Sequence, residues 1–133
     1  MLERIHTEKA PFISLTDGSE PPLSQAIRMG DLIFTSGQGP LDPFTDEIPA
    51  DLAAQVRQVL ANVVEVVQAG GSRKDLIIRC TCYLRDQADF DTFNRAYREF
   101  FADTSTLPAR TTVVAQLVRE GVLVEVDAIA ALA

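Results

Sequence analysis

A chain of 133 residues, 47% of them hydrophobic, is long enough to bury about two thirds of the surface its unfolded form exposes, so one domain spanning 1–133 is expected. Its formal charge of −7 repels a phosphate backbone, and no run of Lys or Arg offsets it locally, which excludes nucleic acid as an expected partner. The N-terminus lacks the apolar stretch of a signal peptide and nowhere do 18 uncharged apolar residues follow one another, so a soluble cytoplasmic protein with no membrane partner is expected.

In chain order, Leu2–His6 offers a possible first strand, and residues 10–24, rich in Pro, Gly, Ser and Asp, read as a loop. Two β-like runs between Gln25 and Gly37 flank Gly30-Asp31, a hairpin signal. A second loop, Gln38 to Ala50, carries Pro40, Pro43 and Pro49. From Asp51 to Ala69 the apolar residues Leu52, Val56, Val59, Leu60, Val63, Val66 and Val67 recur at helical spacing, and Gly70-Gly71 supplies a stop. The many valines weaken intrinsic helicity, so packing of this stripe on a sheet is expected to hold the helix.

Leu76 to Leu84 alternates, with Ile78, Cys80, Cys82 and Leu84 on one face and Arg79, Thr81 and Tyr83 on the other. Asp86 or Asp89 caps a second helix, whose Phe90, Phe93, Tyr97 and Phe100 recur at steps of three and four and which ends near Phe101. Two strands, Thr111–Val118 and Val122–Ala130, are expected to form a hairpin across Arg119-Glu120-Gly121. The order predicts an α+β fold: a mixed, largely antiparallel sheet of about six strands with both helices on one face.

In the last strand Val124, Val126, Ala128 and Ala130 share a small apolar face suited to cover by helices, and Leu123, Glu125, Asp127 and Ile129 share the other. In the strand before it, the pattern groups Thr111, Val113, Ala115 and Leu117 as the apolar set and Arg110, Thr112, Val114 and Gln116 as the mixed one. Charge interleaved with apolar bulk suits a subunit interface with a site built into it.

Two residues there are candidates for chemistry. Arg110 follows Leu107-Pro108-Ala109 at a strand entrance; it offers a two-pronged grip on a carboxylate, or it is a strand-end arginine in a surface ion pair. Glu125, flanked by Leu123, Val124 and Val126, is either an exposed sheet residue or a carboxylate whose burial raises its pKa toward that of a general acid/base. Asp127 shares the ambiguity and is a candidate ion-pair partner of Arg79. Cys80 and Cys82 are the only cysteines and His6 the only histidine, which supplies neither a disulfide framework nor a metal site. The cysteines read as apolar packing, and His6 as a surface residue. Gly37 and Gly39 are not a dinucleotide fingerprint, because no helix start follows them; they mark tight backbone at a strand end, where amides can approach a ligand.

Ser24-Gln25-Ala26, Ile33 to Gln38 continuing to Pro40-Leu41-Asp42-Pro43, Gln58 to Asn62, Phe90 through Asn94 to Tyr97, Pro108 to Val113, and Val124 to Ala130 jointly resemble the reactive intermediate deaminase (Rid, or YjgF) family. The resemblance implies a chorismate-mutase-like α+β fold and a homotrimer with clefts between subunits. It also implies hydrolysis of 2-imino or 2-enamino acids to 2-oxo acids and ammonia without a cofactor or metal. Arg110 would bind the substrate carboxylate and Glu125 assist the water, with Ser36, Gly37, Asn94 and Thr112 lining the cleft. Two positions depart from the family: Leu23 stands where relatives often carry a tyrosine, and Thr112 where some carry a cysteine. A dedicated catabolic deaminase of an aminoacrylate or aminomuconate type is one alternative; a non-catalytic trimer that binds small carboxylates or acts as a chaperone is another.

Overall fold

The computed structural model describes residues 1–133. β1 (Leu2–Ile5) pairs antiparallel with β2 (Ala26–Met29), which turns through Gly30-Asp31 into β3 (Leu32–Thr35). Gly30 has φ +59° and sits at the first central position of this two-residue turn, where the hairpin twist calls for glycine. α1 (Leu52–Ala69) starts at Asp51, whose carboxylate accepts the Ala54 amide at 3.0 Å. Every apolar residue of the expected stripe is buried. Its end packs tightly on the sheet: a Cβ at Gly70 would fall 2.5 Å from Ile5 Cδ1 and 2.8 Å from Ile33 Cδ1.

β4 (Ile77–Leu84) follows, then a short 3-10 turn (Gln87–Asp89), α2 (Phe90–Phe100), β5 (Ala109–Val114) and β6 (Val124–Ala131). Asp86 caps the 3-10 turn by accepting the Ala88 amide, and Asp89 gives α2 no side-chain cap. The sheet order is β1-β2-β3-β6-β4-β5, antiparallel throughout except for β4 with β5. This is the expected mixed six-stranded sheet, with both helices on the face that carries Val124, Val126, Ala128 and Ala130, all at most 2% exposed. No helix is long and apolar enough to cross a membrane.

Four expectations are corrected. β5 and β6 do not form a hairpin, because β4 lies between them and β5 runs parallel to it at the sheet edge. The glycine signal marked a real turn, closed by the Val122 amide on the Arg119 carbonyl with Gly121 at φ +84°; that turn belongs to a nine-residue crossing, 115–123, rather than to a two-strand connection. β5 accordingly ends at Val114 instead of Val118. Its faces are also the reverse of the pattern-based grouping. Arg110 pairs with Cys80 and Thr112 with Cys82, and paired residues share a face, so Arg110 and Thr112 point toward the helices while Thr111 and Val113 join Glu125 on the open side. An edge strand with few neighbours carries little burial pattern from which its orientation can be read.

Ile78 is the third correction. A register irregularity between Ile77 and Arg79 turns it outward to 46% exposure and buries Ile77, as a bulge does by inserting one residue into the alternation. The fourth is Asp127, which accepts a hydrogen bond from Tyr83 Oη at 3.0 Å, whereas Arg79 donates to Thr111 Oγ1. No Arg79–Asp127 ion pair forms.

Candidate active site

Three buried amide side chains fix the loops around Glu125. Gln25, 1% exposed, accepts the Thr7 amide and donates to the carbonyls of Thr7, Ala10 and Pro11. Asn62 donates to the carbonyls of Gly39 and Leu41, both at 2.9 Å. Gln55 donates to Pro49 and Gly121 carbonyls and accepts the Leu123 amide. A buried amide must satisfy both its donors and its acceptor, so each of these residues holds irregular backbone in one place. Apolar periodicity alone does not single out Gln55 and Asn62 on the buried face of α1. The available signal was a glutamine and an asparagine inside an otherwise apolar stripe.

The loops so anchored enclose a cavity of about 310 Å³ lined by Ile13, Leu23, Gly37, Gly39, Leu117 and Glu125 among others. Glu125 leaves the open face of central strand β6 and lies against Gly37, where a Cβ would stand 2.6 Å from Oε2 and 3.0 Å from Cδ. Only glycine admits the carboxylate this close to the backbone. Gly37 is itself held through Gln38, whose amide and carbonyl pair with Val126 across an isolated bridge. Half-burial pushes the Glu125 carboxyl above its ordinary pKa, and the Asp127 carboxylate two residues along adds to the shift. Ser36, next to Gly37, donates its Oγ to the Ser24 carbonyl at 2.6 Å.

Arg110 lies on the opposite face, two strands away at the sheet edge. Its guanidinium rests over Tyr97, with Cζ 4.8 Å from the ring centroid, and 5.1 Å from that of Phe93, and it donates to Asn94 Oδ1 at 2.6 Å. Stacking on rings and one fixed hydrogen bond hold the planar fork, and no carboxylate of the same protomer pairs with it. It lines a separate open hollow of about 280 Å³ with Asn94, Tyr97, Arg98, Leu107 and Pro108. Nearby, the buried Thr112 Oγ1 and Tyr97 Oη have no hydrogen-bond partner. Burial pushes the Cys80 thiol up to about 11 and raises that of Cys82 as well, so both stay protonated and act as packing. His6 stacks edge-on against Phe12, 4.9 Å between centroids.

The protomer therefore brings Glu125 and Gly37 together, and Arg110 and Asn94 together, and it separates the two pairs. Arg110 and Glu125 do not share a sheet face, contrary to the sequence grouping.

Residues 17–132 match the sequence profile of the family described as Endoribonuclease L-PSP. The 2-iminobutanoate/2-iminopropanoate deaminase of Escherichia coli K12 is 40% identical over 131 residues, covering 98% of each chain. A RutC family protein of Pyrococcus horikoshii is 40% identical over 133 residues, again with 98% of each covered. Among solved structures, the E. coli YjgF gene product superposes with a TM-score of 0.88 at 39% identity, over 97% of this chain and 98% of that one. E. coli TdcF with bound serine gives 0.89 at 36% identity, over 98% and 99%.

Proposed function

The chain belongs to the family described as Endoribonuclease L-PSP, which it matches over residues 17–132, and from that premise we infer that it is a hydrolytic deaminase of 2-imino and 2-enamino acids. The reaction adds water to the imine carbon and releases ammonia, leaving a 2-oxo acid. An enamine first tautomerises to the imine. The observation that carries the reading is the Glu125 carboxylate, half-buried with a raised pKa and seated on Gly37 at a cavity wall. A carboxylate so placed can accept a proton from water as its oxygen attacks carbon, then return it to the departing nitrogen. Arg110, permanently charged and pre-oriented by Asn94 and Tyr97, holds the substrate carboxylate.

Because these side chains leave opposite faces of the sheet, one site needs Arg110 of one protomer and Glu125 of a neighbour. A closed ring of three copies, with a cleft at each junction, meets that need and covers the open sheet face, where Phe34, Ile78 and Val113 are each more than 40% exposed. Ser36 and Thr112 complete the cleft from opposite sides, Thr112 offering its unpartnered hydroxyl. A net charge of −7 weighs against the nuclease activity in the family's description.

The test couples the purified protein to an L-amino acid oxidase or a threonine dehydratase and follows the free imine by semicarbazide capture. The wild type accelerates imine loss and Arg110→Ala abolishes the acceleration. Equal rates for wild type, variant and buffer would remove the enzyme reading.

A further inference from the structure

We propose that the cavity beside Glu125 is a side-chain pocket that makes this protein prefer imino acids with large apolar side chains, such as those derived from leucine or methionine. The inference rests on the deaminase reading of the same site and specifies its substrate class. Around Glu125 the cavity walls include Ile13, Leu23, Ile48, Leu117, Val118 and Val122, and the only polar side chains among the lining residues are Glu125 and Arg119. Ile13, Leu23 and Val118 are 41%, 49% and 103% exposed. Their loops converge on one hollow, and uncovered apolar surface collected around a concave site marks where an apolar group binds.

The geometry of the substrate places its side chain there. A 2-imino acid has a trigonal carbon bearing nitrogen, carboxylate and side chain. With that carbon beside Glu125, the nitrogen turned to the carboxyl that protonates it and the carboxylate drawn to Arg110 of the adjoining protomer, the third substituent, the side chain, is directed back into the protomer that owns Glu125. The space it meets is about 310 Å³, at the lower end of the roughly 300–1,000 Å³ typical of ligand pockets. A methyl group would leave most of that volume to water against apolar walls. Leu23 contributes to this character directly: a phenol at the same position would narrow the hollow and give it a hydroxyl.

Each further buried methylene raises kcat/KM about fourfold. The leucine-derived imine, three carbons larger at the side chain than the alanine-derived one, is therefore expected to exceed it by about tenfold to sixtyfold in kcat/KM. The gain should lie mainly in KM, because contacts remote from the reacting carbon exist equally in the ground and transition states.

The experiment generates imines in situ from alanine, leucine, methionine and glutamate with amino acid oxidases of suitable specificity. It measures kcat and KM by semicarbazide competition for the wild type, Leu23→Asn and Val118→Asp, with thermal melts as a control for folding. The expected result is a leucine-to-alanine ratio of at least about ten, from KM, that falls toward one in both variants at unchanged melting temperature. A ratio near one in the wild type, as when the adjoining protomer fills the hollow, would overturn the inference while leaving the deaminase reading intact. A preference for the glutamate-derived imine would overturn it too and assign Arg119 the specificity. Absence of turnover with every imine would remove both readings together.

Discussion

Replacing Gly37 with alanine would put a methyl carbon 2.6 Å from Glu125 Oε2 and 3.0 Å from its Cδ. Ordinary contact begins near 3.4 Å, so the carboxylate must withdraw by about 0.8 Å. The backbone at Gly37 does not adopt the left-handed conformation, so alanine introduces no strain of its own and the perturbation falls on Glu125 alone. Pushing a half-buried side chain off its rotamer costs about 0.5–1.5 kcal/mol, a fall in Tm of roughly 2–8 °C for a domain of this size. Catalysis should suffer far more, because a misplacement near 1 Å at the reacting centre costs about a hundredfold. The assay pairs imine capture with a thermal melt: Gly37→Ala is expected to keep its fold and lose about two orders of magnitude in kcat. Wild-type kcat at wild-type Tm would refute the assignment of Glu125, since its oxygen would have moved without consequence.

Arg110→Lys keeps the charge but loses the planar fork that lies on Tyr97 and donates to Asn94, and should lower kcat/KM by about tenfold to 150-fold, read by steady-state kinetics. Glu125→Gln should abolish turnover yet raise Tm near pH 7. Burial raises the folded pKa of this carboxyl, so its ionisation opposes folding increasingly as pH rises from the ordinary value to the raised one, and fully above it. The Tm difference between wild type and variant therefore closes as pH falls toward 4.5, the ordinary value, and differential scanning calorimetry from pH 4 to pH 8 would read it. Thr112→Val replaces a buried hydroxyl without a partner by a methyl of the same shape, so Tm should hold or rise. KM should rise if the hydroxyl meets substrate; an unchanged KM would remove Thr112 from the cleft.

Much of the architecture was legible because each element satisfied several signals at once. α1 combined an Asp51 cap, an apolar stripe and a Gly70-Gly71 stop; β6 combined strict alternation with small residues, and it became the buried centre of the sheet. β5 was less legible. It is an edge strand paired on one side, so its burial pattern is weak, and its pairing with β4 is a nonlocal parallel contact that leaves no turn signal in the chain. Reversing its faces moved Arg110 from the side of Glu125 to the side of α2, a change in the predicted site that a one-residue shift in parity is enough to cause.

The cavity itself was the least legible feature. Its walls come from loops at 11–13, 23, 37–41, 48 and 117–122, and what holds them is the hydrogen bonding of Gln25, Gln55 and Asn62 to carbonyls up to 66 residues away. Local periodicity carries no record of such contacts. The Ser36-Gly37-Gln38-Gly39 run signalled close backbone approach, and the structure identifies the group that approaches as the Glu125 carboxylate.

The central claim is that Arg110 and Glu125 act on one substrate from different chains, and subunit complementation tests it most directly. Arg110→Ala and Glu125→Gln, each inactive alone, are unfolded together in equal amounts and refolded. Random assembly into closed rings gives roughly one junction in four an intact Arg110 facing an intact Glu125, so about a quarter of wild-type activity should return. Mixtures as inactive as their parents, though fully reassembled, would show that the two groups do not meet across a junction.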